Sequence, residues 1–158
     1  MNIIDILQKE NIELNLKSDT KSEVIIELLN LLKKNGVIEN IDDLKNEIIK
    51  REEMMSTGIG KGIGLPHCKS KNIDNMILAV GRHKKGIDDY DSLDDEPVKL
   101  IFLLISPEDK PNDHINMLAR ISRIVKLDYI RTSLTTAGSS KKFYEMVKNE
   151  DKKFLWAI

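Results

Sequence analysis

Residues 51–67 read Arg-Glu-Glu-Met-Met-Ser-Thr-Gly-Ile-Gly-Lys-Gly-Ile-Gly-Leu-Pro-His, and this stretch is the starting point for predicting the fold. Its four glycines, half of the eight in the chain, stand at alternate positions from Gly58 to Gly64. The spacing fits neither the dinucleotide-binding pattern GxGxxG nor a GxxxxGK[ST] phosphate loop, so a nucleotide site is unsupported. Spacing alone is equally compatible with a glycine-rich connection that lets a neighbouring element approach closely.

The end of the stretch favours a reactive histidine. Pro66 restricts the backbone before His67, so the imidazole has a defined direction at a predicted strand. The small residues upstream leave backbone N–H groups accessible, which suits an anion. A histidine beside an anion can act as a general base, a metal ligand or a nucleophile. A metal site is disfavoured, because His67, His83, His114 and Cys68 include no pair of histidines four residues apart and no CxxC motif.

Cys68 is the single cysteine of the chain, which excludes an intramolecular disulfide. Neighbouring side chains of a strand point to opposite faces, so Cys68 is not expected to act as a nucleophile with His67 as its base. Core packing is the predicted role of Cys68. His83 follows a short predicted strand and has basic neighbours, which predicts a solvated surface position.

His114 follows Asn112 and Asp113, either of which could cap a helix over 115–125. The positive end of a helix macrodipole disfavours a protonated histidine in the first turn, and free N–H groups there can bind an anion. Taken alone, such a histidine is more often a surface or capping residue. Beside His67, it would be a second imidazole able to donate a hydrogen bond to a phosphoryl group, but the sequence leaves open whether the two meet.

Composition restricts the class of protein. The 158 residues suffice for one ordinary domain, predicted to span 1–158, and 41% hydrophobic with 32% charged residues is a globular balance. The net charge of -1 argues against a dedicated nucleic-acid binder. No apolar run approaches the ~20 residues that span a bilayer, and no signal peptide is evident, so a cytoplasmic location is predicted.

Helical and strand-like patterns alternate along the chain. Thr20 and Glu23 form a capping box that begins a helix, and Gly36 stands where a left-handed cap would end it. The run VKLIFLLI at 98–105 is typical of a strand buried on both faces. The predicted fold is therefore α/β, a single domain in which helices sandwich a central mixed β-sheet. The other predicted elements are a helix start over 3–7, an edge strand over 12–16, helices over 41–54, 115–125, 129–135 and 140–148, a strand over 76–80, and an exposed loop over 84–97.

The stretch 51–67 closely resembles the signature of type-2 enzyme IIA domains, from the fructose, mannitol and nitrogen-regulatory branch of the bacterial phosphoenolpyruvate-dependent sugar phosphotransferase system. The resemblance covers nearly the whole chain, including the two early helices, the strand that ends Ile105-Ser106-Pro107, and the helix start at 113–119. Few unrelated proteins combine REE, STGIG and a terminal PH with a later helix led by histidine. Two positions depart from the common pattern: Gly64 stands where alanine is common, and Cys68 where glycine or another small residue is usual.

The resemblance implies a phosphotransferase component with a phosphohistidine intermediate and without a cofactor or metal. His67 would accept a phosphoryl group from the phosphocarrier HPr through Nε2, and His114 would orient and hydrogen-bond the phosphoryl oxygens. Arg51 would neutralise charge on the transferring group, although without the resemblance it would be interpreted as a solvated charge. Ser56 and Thr57 would line the phosphate site with hydroxyl donors.

Two functions are consistent with these residues. In the first, His67 passes the phosphoryl group to a cognate enzyme IIB for sugar uptake, most readily of the fructose type, and the chain meets the membrane only indirectly through the sugar permease. In the second, a nitrogen-type enzyme IIA binds target proteins according to its phosphorylation state. A phosphate-inert scaffold is disfavoured, because His67, His114 and Arg51 occur together. The chain shows no HPr, enzyme IIB or enzyme IIC segment, so it is expected to be a separate polypeptide or part of a longer one. Protein partners must reach His67, which predicts a ring of apolar residues such as Met55, Ile59 and Ile63 around it.

Overall fold

A six-stranded mixed β-sheet forms the centre of the molecule, which a computed structural model describes over residues 1–153. Neighbours in the sheet follow the order first, fifth, sixth, third, second, and the fourth strand also pairs with the sixth. The fifth and sixth strands are antiparallel, whereas the third and fourth both run parallel to the sixth. Residues 154–158 of the predicted domain lie outside the described part. The strands are β1 (Leu7–Glu13), β2 (Gly58–Gly60), β3 (Ile63–Gly64), β4 (His67–Ser70), β5 (Ile77–Ile87) and β6 (Val98–Pro107).

Within residues 1–153, five α-helices cover the two faces of the sheet, so the predicted α/β sandwich is confirmed. Two of them bury their apolar sides on one face, and the other three pack on the opposite face. Within residues 1–153, no helix is both long and apolar enough to cross a membrane. The helices are α1 (Lys21–Lys34) and α2 (Asp42–Met54) on the first face, and α3 (Pro111–Val125), α4 (Asp128–Thr136) and α5 (Ser140–Lys153) on the second.

The strand β6 supplies the middle of both cores, as its unbroken apolar sequence predicts. Alternate side chains point to opposite faces: Leu100, Phe102 and Leu104 join the core under α3–α5, whereas Leu103 and Ile105 join the core under α1 and α2. All these side chains are at most 3% exposed. A strand enclosed in this way is a rigid support for residues at its carboxyl end.

The predicted ends of α1 are confirmed. The Thr20 hydroxyl accepts a hydrogen bond from the Glu23 backbone N–H at 3.3 Å. Gly36 adopts φ +74° just after the helix, a left-handed conformation that glycine adopts without steric penalty. Local rules of capping chemistry therefore decide where this helix begins and ends.

Several predictions about the other strands need correction. The strand predicted over 76–80 extends to Ile87, so the first residues of the predicted loop are strand, and Tyr90 within that loop is only 1% exposed. His83 lies in this extension and is buried, so its predicted surface position is wrong. Its two ring nitrogens are satisfied inside the protein: Nδ1 accepts from the Gly86 N–H at 3.0 Å, which leaves Nε2 to donate to the Asp19 carboxylate at 3.0 Å. The helix start and edge strand predicted within 1–17 are a short 3₁₀ helix (Ile3–Asp5) and the edge strand β1, which begins earlier than predicted, at Leu7.

Tyr90 explains the glycine at position 64. A Cβ atom at Gly64 would lie 2.8 Å from Cζ of Tyr90 and 3.0 Å from its hydroxyl. The ring has little freedom to move aside, because it is buried and its hydroxyl lies 2.6 Å from that of Thr57. The Tyr90 ring therefore occupies the space that a side chain at position 64 would need.

Gly64→Ala is expected to destabilise the protein by about 1–3 kcal/mol, the usual effect of overpacking a core. Urea unfolding of the single variant, of Tyr90→Leu and of the double variant would measure the coupling. The alanine should be better tolerated when the smaller Leu side chain replaces Tyr90. An equal loss of stability in both backgrounds would contradict the steric explanation.

Candidate functional site

A break between β3 and β4 positions His67. The two short strands follow each other along one side of β6, where Gly64 pairs with Ile101 and His67 pairs with Leu104. Pro66 stands in the break and has no N–H to donate, but its carbonyl oxygen accepts from the Leu104 N–H at 3.0 Å. The backbone is therefore held on both sides of the break, and His67 begins β4 with a fixed orientation.

A backbone carbonyl determines which nitrogen of His67 is free. The ring Nδ1 lies 2.7 Å from the Leu65 carbonyl oxygen. A carbonyl oxygen only accepts hydrogen bonds, so Nδ1 carries the proton and the neutral ring has its lone pair on Nε2. Burial lowers the pKa of His67, and the positive charges of Arg51 and Lys69 act in the same direction, against the Leu65 hydrogen bond and the charge of Glu52. His67 is therefore a neutral imidazole at neutral pH, with Nε2 available as a nucleophile.

His114 meets His67, which the sequence left open. The ring centroids are 5.3 Å apart and the ring planes are inclined by 55°. His114 is 4% exposed, and its Nδ1 lies 2.6 Å from the Ser106 hydroxyl at the end of β6. Burial, followed by the electrostatic interaction with His67 and the positive charges of Lys69 and Arg51, lowers the pKa of His114 to about 4. The site therefore holds two adjacent imidazoles that are both neutral at pH 7.

The helix that carries His114 begins earlier than the sequence predicts. Its first residue is Pro111, after Lys110 at the N-cap, so neither Asn112 nor Asp113 is the cap. Proline suits the first helical position, because its backbone angle is already helical and no N–H is needed there. His114 remains in the first turn, where the macrodipole opposes its protonation.

Two cations contribute to the electrostatics of the histidine pair. Arg51 projects from the last turn of α2, and its Nη1 donates to the Met55 carbonyl oxygen at 3.3 Å. Lys69 is exposed on β4, two residues after His67 and therefore on the same face of the strand. Positive charge from both residues lowers the pKa of each histidine. The site is thus suited to an anion, and Lys69 is a contributor that the two-residue strand period could have revealed.

The two predicted hydroxyl residues, Ser56 and Thr57, are held by a buried network beside the site. The Glu52 carboxylate, in α2, accepts from the Thr57 backbone N–H at 2.8 Å and from the Thr57 hydroxyl at 2.8 Å. The Ser56 hydroxyl donates to the Asp91 carbonyl oxygen at 2.5 Å. Thr57 is only 6% exposed, so its hydroxyl is engaged with protein groups in this conformation. The network anchors the glycine-rich segment to the end of α2.

Cys68 faces away from the histidines, into the core under α1 and α2. Burial raises the pKa of its thiol to about 12, and the nearby charge of Glu47 adds to the effect. The predicted packing role is confirmed. Of the three residues predicted to form an apolar ring, Met55 is 71% exposed and Ile59 is half-buried, but Ile63 is 1% exposed, because β3 places it in the core. Within residues 1–153, no group of three or more potential ligands could hold a metal ion.

The lowered pKa of His114 predicts a pH dependence of stability. The unfolded chain binds a proton at this histidine near pH 6.5, whereas the folded protein resists protonation down to about pH 4. This contribution to the free energy of unfolding is complete above pH 6.5 and is lost as the pH falls towards 4. Urea unfolding of the wild type and of His114→Gln, which does not titrate, should show a difference in stability that shrinks over this range. A difference that does not vary with pH would contradict the burial of a neutral His114.

The sequence of this chain is similar to those of known phosphotransferase proteins. The family profile described as "Phosphoenolpyruvate-dependent sugar phosphotransferase system, EIIA 2" matches residues 5–150. A fructose-specific EIIABC component of Bacillus subtilis is 37% identical over 152 residues, which cover 96% of this chain but 24% of that protein. A fructose-specific EIIA component of Haloferax volcanii is 32% identical over 87% of this chain and 89% of its own length.

Among solved structures, the nitrogen regulatory protein IIA-Ntr of Neisseria meningitidis superposes with a TM-score of 0.84 at 26% identity, covering 90% of this chain and 97% of its own. The superposition therefore covers most of the chain. The family profile matches most of the chain, and the fold agrees with it. This chain belongs to the type-2 EIIA family of phosphotransferase components in the phosphoenolpyruvate-dependent sugar phosphotransferase system.

Proposed function

We propose that this protein is a phosphoryl carrier, in which Nε2 of His67 accepts a phosphoryl group from phospho-HPr and passes it to a cognate enzyme IIB. The observation that carries the proposal is the 2.7 Å contact from Nδ1 to the Leu65 carbonyl oxygen, which leaves Nε2 as the free nitrogen. The neighbouring His114 and the charges of Arg51 and Lys69 supply the surroundings that a phosphoryl group requires.

The proposed chemistry is an in-line exchange between two nitrogens. The lone pair of His67 Nε2 attacks phosphorus, and the bond from phosphorus to the donor histidine of HPr breaks, with its electron pair returning to that ring. The His67 ring keeps the proton on Nδ1 and gains positive charge, which the Leu65 carbonyl stabilises. Arg51, Lys69 and an N–H of His114 stabilise the oxygens of the transferring group. Onward transfer repeats the exchange with a nucleophile of enzyme IIB.

The surroundings of the site suit protein partners. Met55 follows the helix that carries Arg51, Ile115 follows His114, and these apolar side chains are 71% and 62% exposed. Exposed apolar side chains beside basic groups are typical of the centre of a transient protein interface. Two fructose-specific relatives, one of which is named as an EIIABC component, support a fructose-type enzyme IIB as the acceptor.

A nitrogen-type regulatory role is the second candidate. The similarity to IIA-Ntr of Neisseria meningitidis, with a TM-score of 0.84, supports it. In that role, the phosphoryl group on His67 would control the binding of a target protein instead of moving onward. Because both roles use the same histidine, only the fate of the phosphoryl group separates them.

The decisive experiment follows that fate. The chain is charged with phosphoenolpyruvate, enzyme I and HPr, separated from them, and mixed with a fructose-type enzyme IIB, and both proteins are then weighed by intact-mass spectrometry. Loss of the phosphoryl group from the chain with a matching gain on enzyme IIB supports the relay. A charged chain that keeps its phosphoryl group favours the regulatory role. A folded chain that is never charged by a competent HPr overturns both.

A further inference from the structure

Ser106 has a buried hydroxyl that contacts His114, the second histidine of the site. It is the last residue but one of β6, is 0% exposed, and places Oγ 2.6 Å from Nδ1 of His114. His114 lies eight positions after Ser106 along the chain, so a short connection joins the end of the rigid strand to the first turn of α3. The serine is too deeply buried to contact a partner protein directly.

The surroundings of Ser106 decide the direction of this hydrogen bond. Within residues 1–153, the His114 ring is the hydrogen-bond partner of the Ser106 hydroxyl, with no carbonyl or carboxylate oxygen to take its proton. If Nδ1 of His114 carried the ring proton, the serine proton would be buried without an acceptor, which is unfavourable because a buried donor then loses its hydrogen bond to water without gaining another. Donation from the Ser106 hydroxyl to an unprotonated Nδ1 avoids that loss, and the proton of the neutral ring then resides on Nε2.

We propose that Ser106 is a positioning residue that holds His114 in the tautomer with its proton on Nε2, so that this N–H donates to the phosphoryl group carried by His67. The two rings then have complementary forms. The Leu65 carbonyl keeps the proton of His67 on Nδ1 and frees Nε2 to attack, whereas the Ser106 hydroxyl keeps Nδ1 of His114 unprotonated and directs its proton to Nε2.

The opposite tautomer of His114 would weaken the site. An unprotonated Nε2 presents a lone pair, which would repel the oxygens of a phosphoryl group on the ring 5.3 Å away. Protonation of both nitrogens would also supply a donor, but burial and the nearby cations oppose it. A neutral donor is obtained only when another group occupies Nδ1, and Ser106 does so. This inference rests on the proposed function for its consequence, but the tautomer itself can be observed without any phosphoryl transfer.

Nitrogen-15 NMR of the histidine rings tests the tautomer directly. In the wild type at pH 7, Nδ1 of His114 should resonate as an unprotonated ring nitrogen and Nε2 as a protonated one. In Ser106→Ala, both shifts should move to intermediate values, because the ring then samples both tautomers. Ser70→Ala is the matched control: Ser70 is 1% exposed at the end of β4, but its hydroxyl donates to Glu47 at 3.2 Å, so its loss should leave the His114 spectrum unchanged.

Kinetics test the consequence. Ser106→Ala should lower kcat for phosphoryl uptake from phospho-HPr about 3- to 10-fold, the usual effect of weakening one hydrogen bond, without changing KM for HPr. Ser106→Thr keeps the hydroxyl and should recover most of the rate, whereas Ser70→Ala should match the wild type. If Ser106→Ala fails to fold, the nitrogen-15 spectrum of the wild type still tests the proposal, because it reports the tautomer of His114 without any variant.

The outcomes separate this inference from the proposed function. A protonated Nδ1 on wild-type His114, or an unchanged His114 spectrum in Ser106→Ala, overturns the role of Ser106 whether or not His67 is phosphorylated. A wild type that shows the expected tautomer but accepts no phosphoryl group overturns the proposed function and leaves the hydrogen-bond assignment in place. An equal loss of rate in Ser106→Ala and Ser70→Ala would reduce Ser106 to a merely structural role.

Discussion

His67→Ala is expected to gain no phosphoryl group on incubation with phosphoenolpyruvate, enzyme I and HPr, whereas the wild type gains one. The reason is that Nε2 of His67 is the nucleophile left free by the Leu65 carbonyl, while His114 is 4% exposed and binds Ser106 through its other nitrogen. His114 therefore should not substitute as the acceptor. Intact-mass spectrometry measures the gain, and loss of the group in mild acid identifies a phosphohistidine.

His83→Gln is the matched control, because it removes a histidine that lies outside the site and bonds to Asp19 and Gly86. This variant should be charged to the same extent as the wild type, provided that circular dichroism shows it to be folded. The point of attachment can also be checked, since phosphorus-31 and nitrogen-15 NMR distinguish Nε2 from Nδ1. Charging of His67→Ala, or attachment through Nδ1 of His67, would contradict the proposed chemistry.

Local chemistry allowed much of the fold to be predicted from the sequence. A capping threonine, a left-handed glycine and an unbroken apolar run define α1 and β6, because each depends on residues close in the chain. The predicted strand over 76–80 was too short for a different reason. Its extension to Ile87 carries His83, whose ring forms a hydrogen bond with Asp19, 64 residues away in the sequence. Such a partner is invisible to any local pattern.

Some residues of the candidate site could likewise be predicted from the sequence, whereas others could not. His67 stands out in the sequence, because a glycine-rich stretch and a proline precede it. His114 was a candidate from its place at a predicted helix start, and the family resemblance gave it a role and added Arg51. The strand period could have suggested Lys69, which lies two residues after His67 on β4. Ser106 was beyond prediction, since its role depends on a 2.6 Å contact that only the packing of α3 against β6 brings about. The Leu65 carbonyl is close to His67 in the chain, but its role depends on the 2.7 Å contact with one particular ring nitrogen, which the sequence pattern does not specify.

The same positive charges should serve the site in two states. In the free protein, Arg51 and Lys69 help to keep both imidazoles in their neutral, singly protonated forms, which preserves the lone pair on Nε2 of His67. Once a phosphoryl group is bound, its negative charge lies among these cations and is stabilised by them. An uncharged site would lack both effects, so a cation beside the nucleophile favours its reactive form as well as its product.

Arg51→Ala is therefore expected to slow phosphoryl uptake by His67 about 100-fold, the size of effect typical of removing a preorganised group that stabilises transition-state charge. Arg51→Lys should recover only part of the rate, because an ammonium cannot present the planar pair of donors that a guanidinium offers to phosphoryl oxygens. Lys50→Ala is the matched control: it removes a neighbouring, exposed cation of α2 and should leave the rate nearly unchanged. Rapid-quench measurement of uptake from phospho-HPr, with thermal unfolding in parallel, separates chemistry from stability, since Arg51 also bonds to the Met55 carbonyl at the helix end. Equal effects of Arg51→Ala and Lys50→Ala would mean that the positive charges at the end of α2 act together on the approach of HPr. Arg51 would then have no specific part in the transfer.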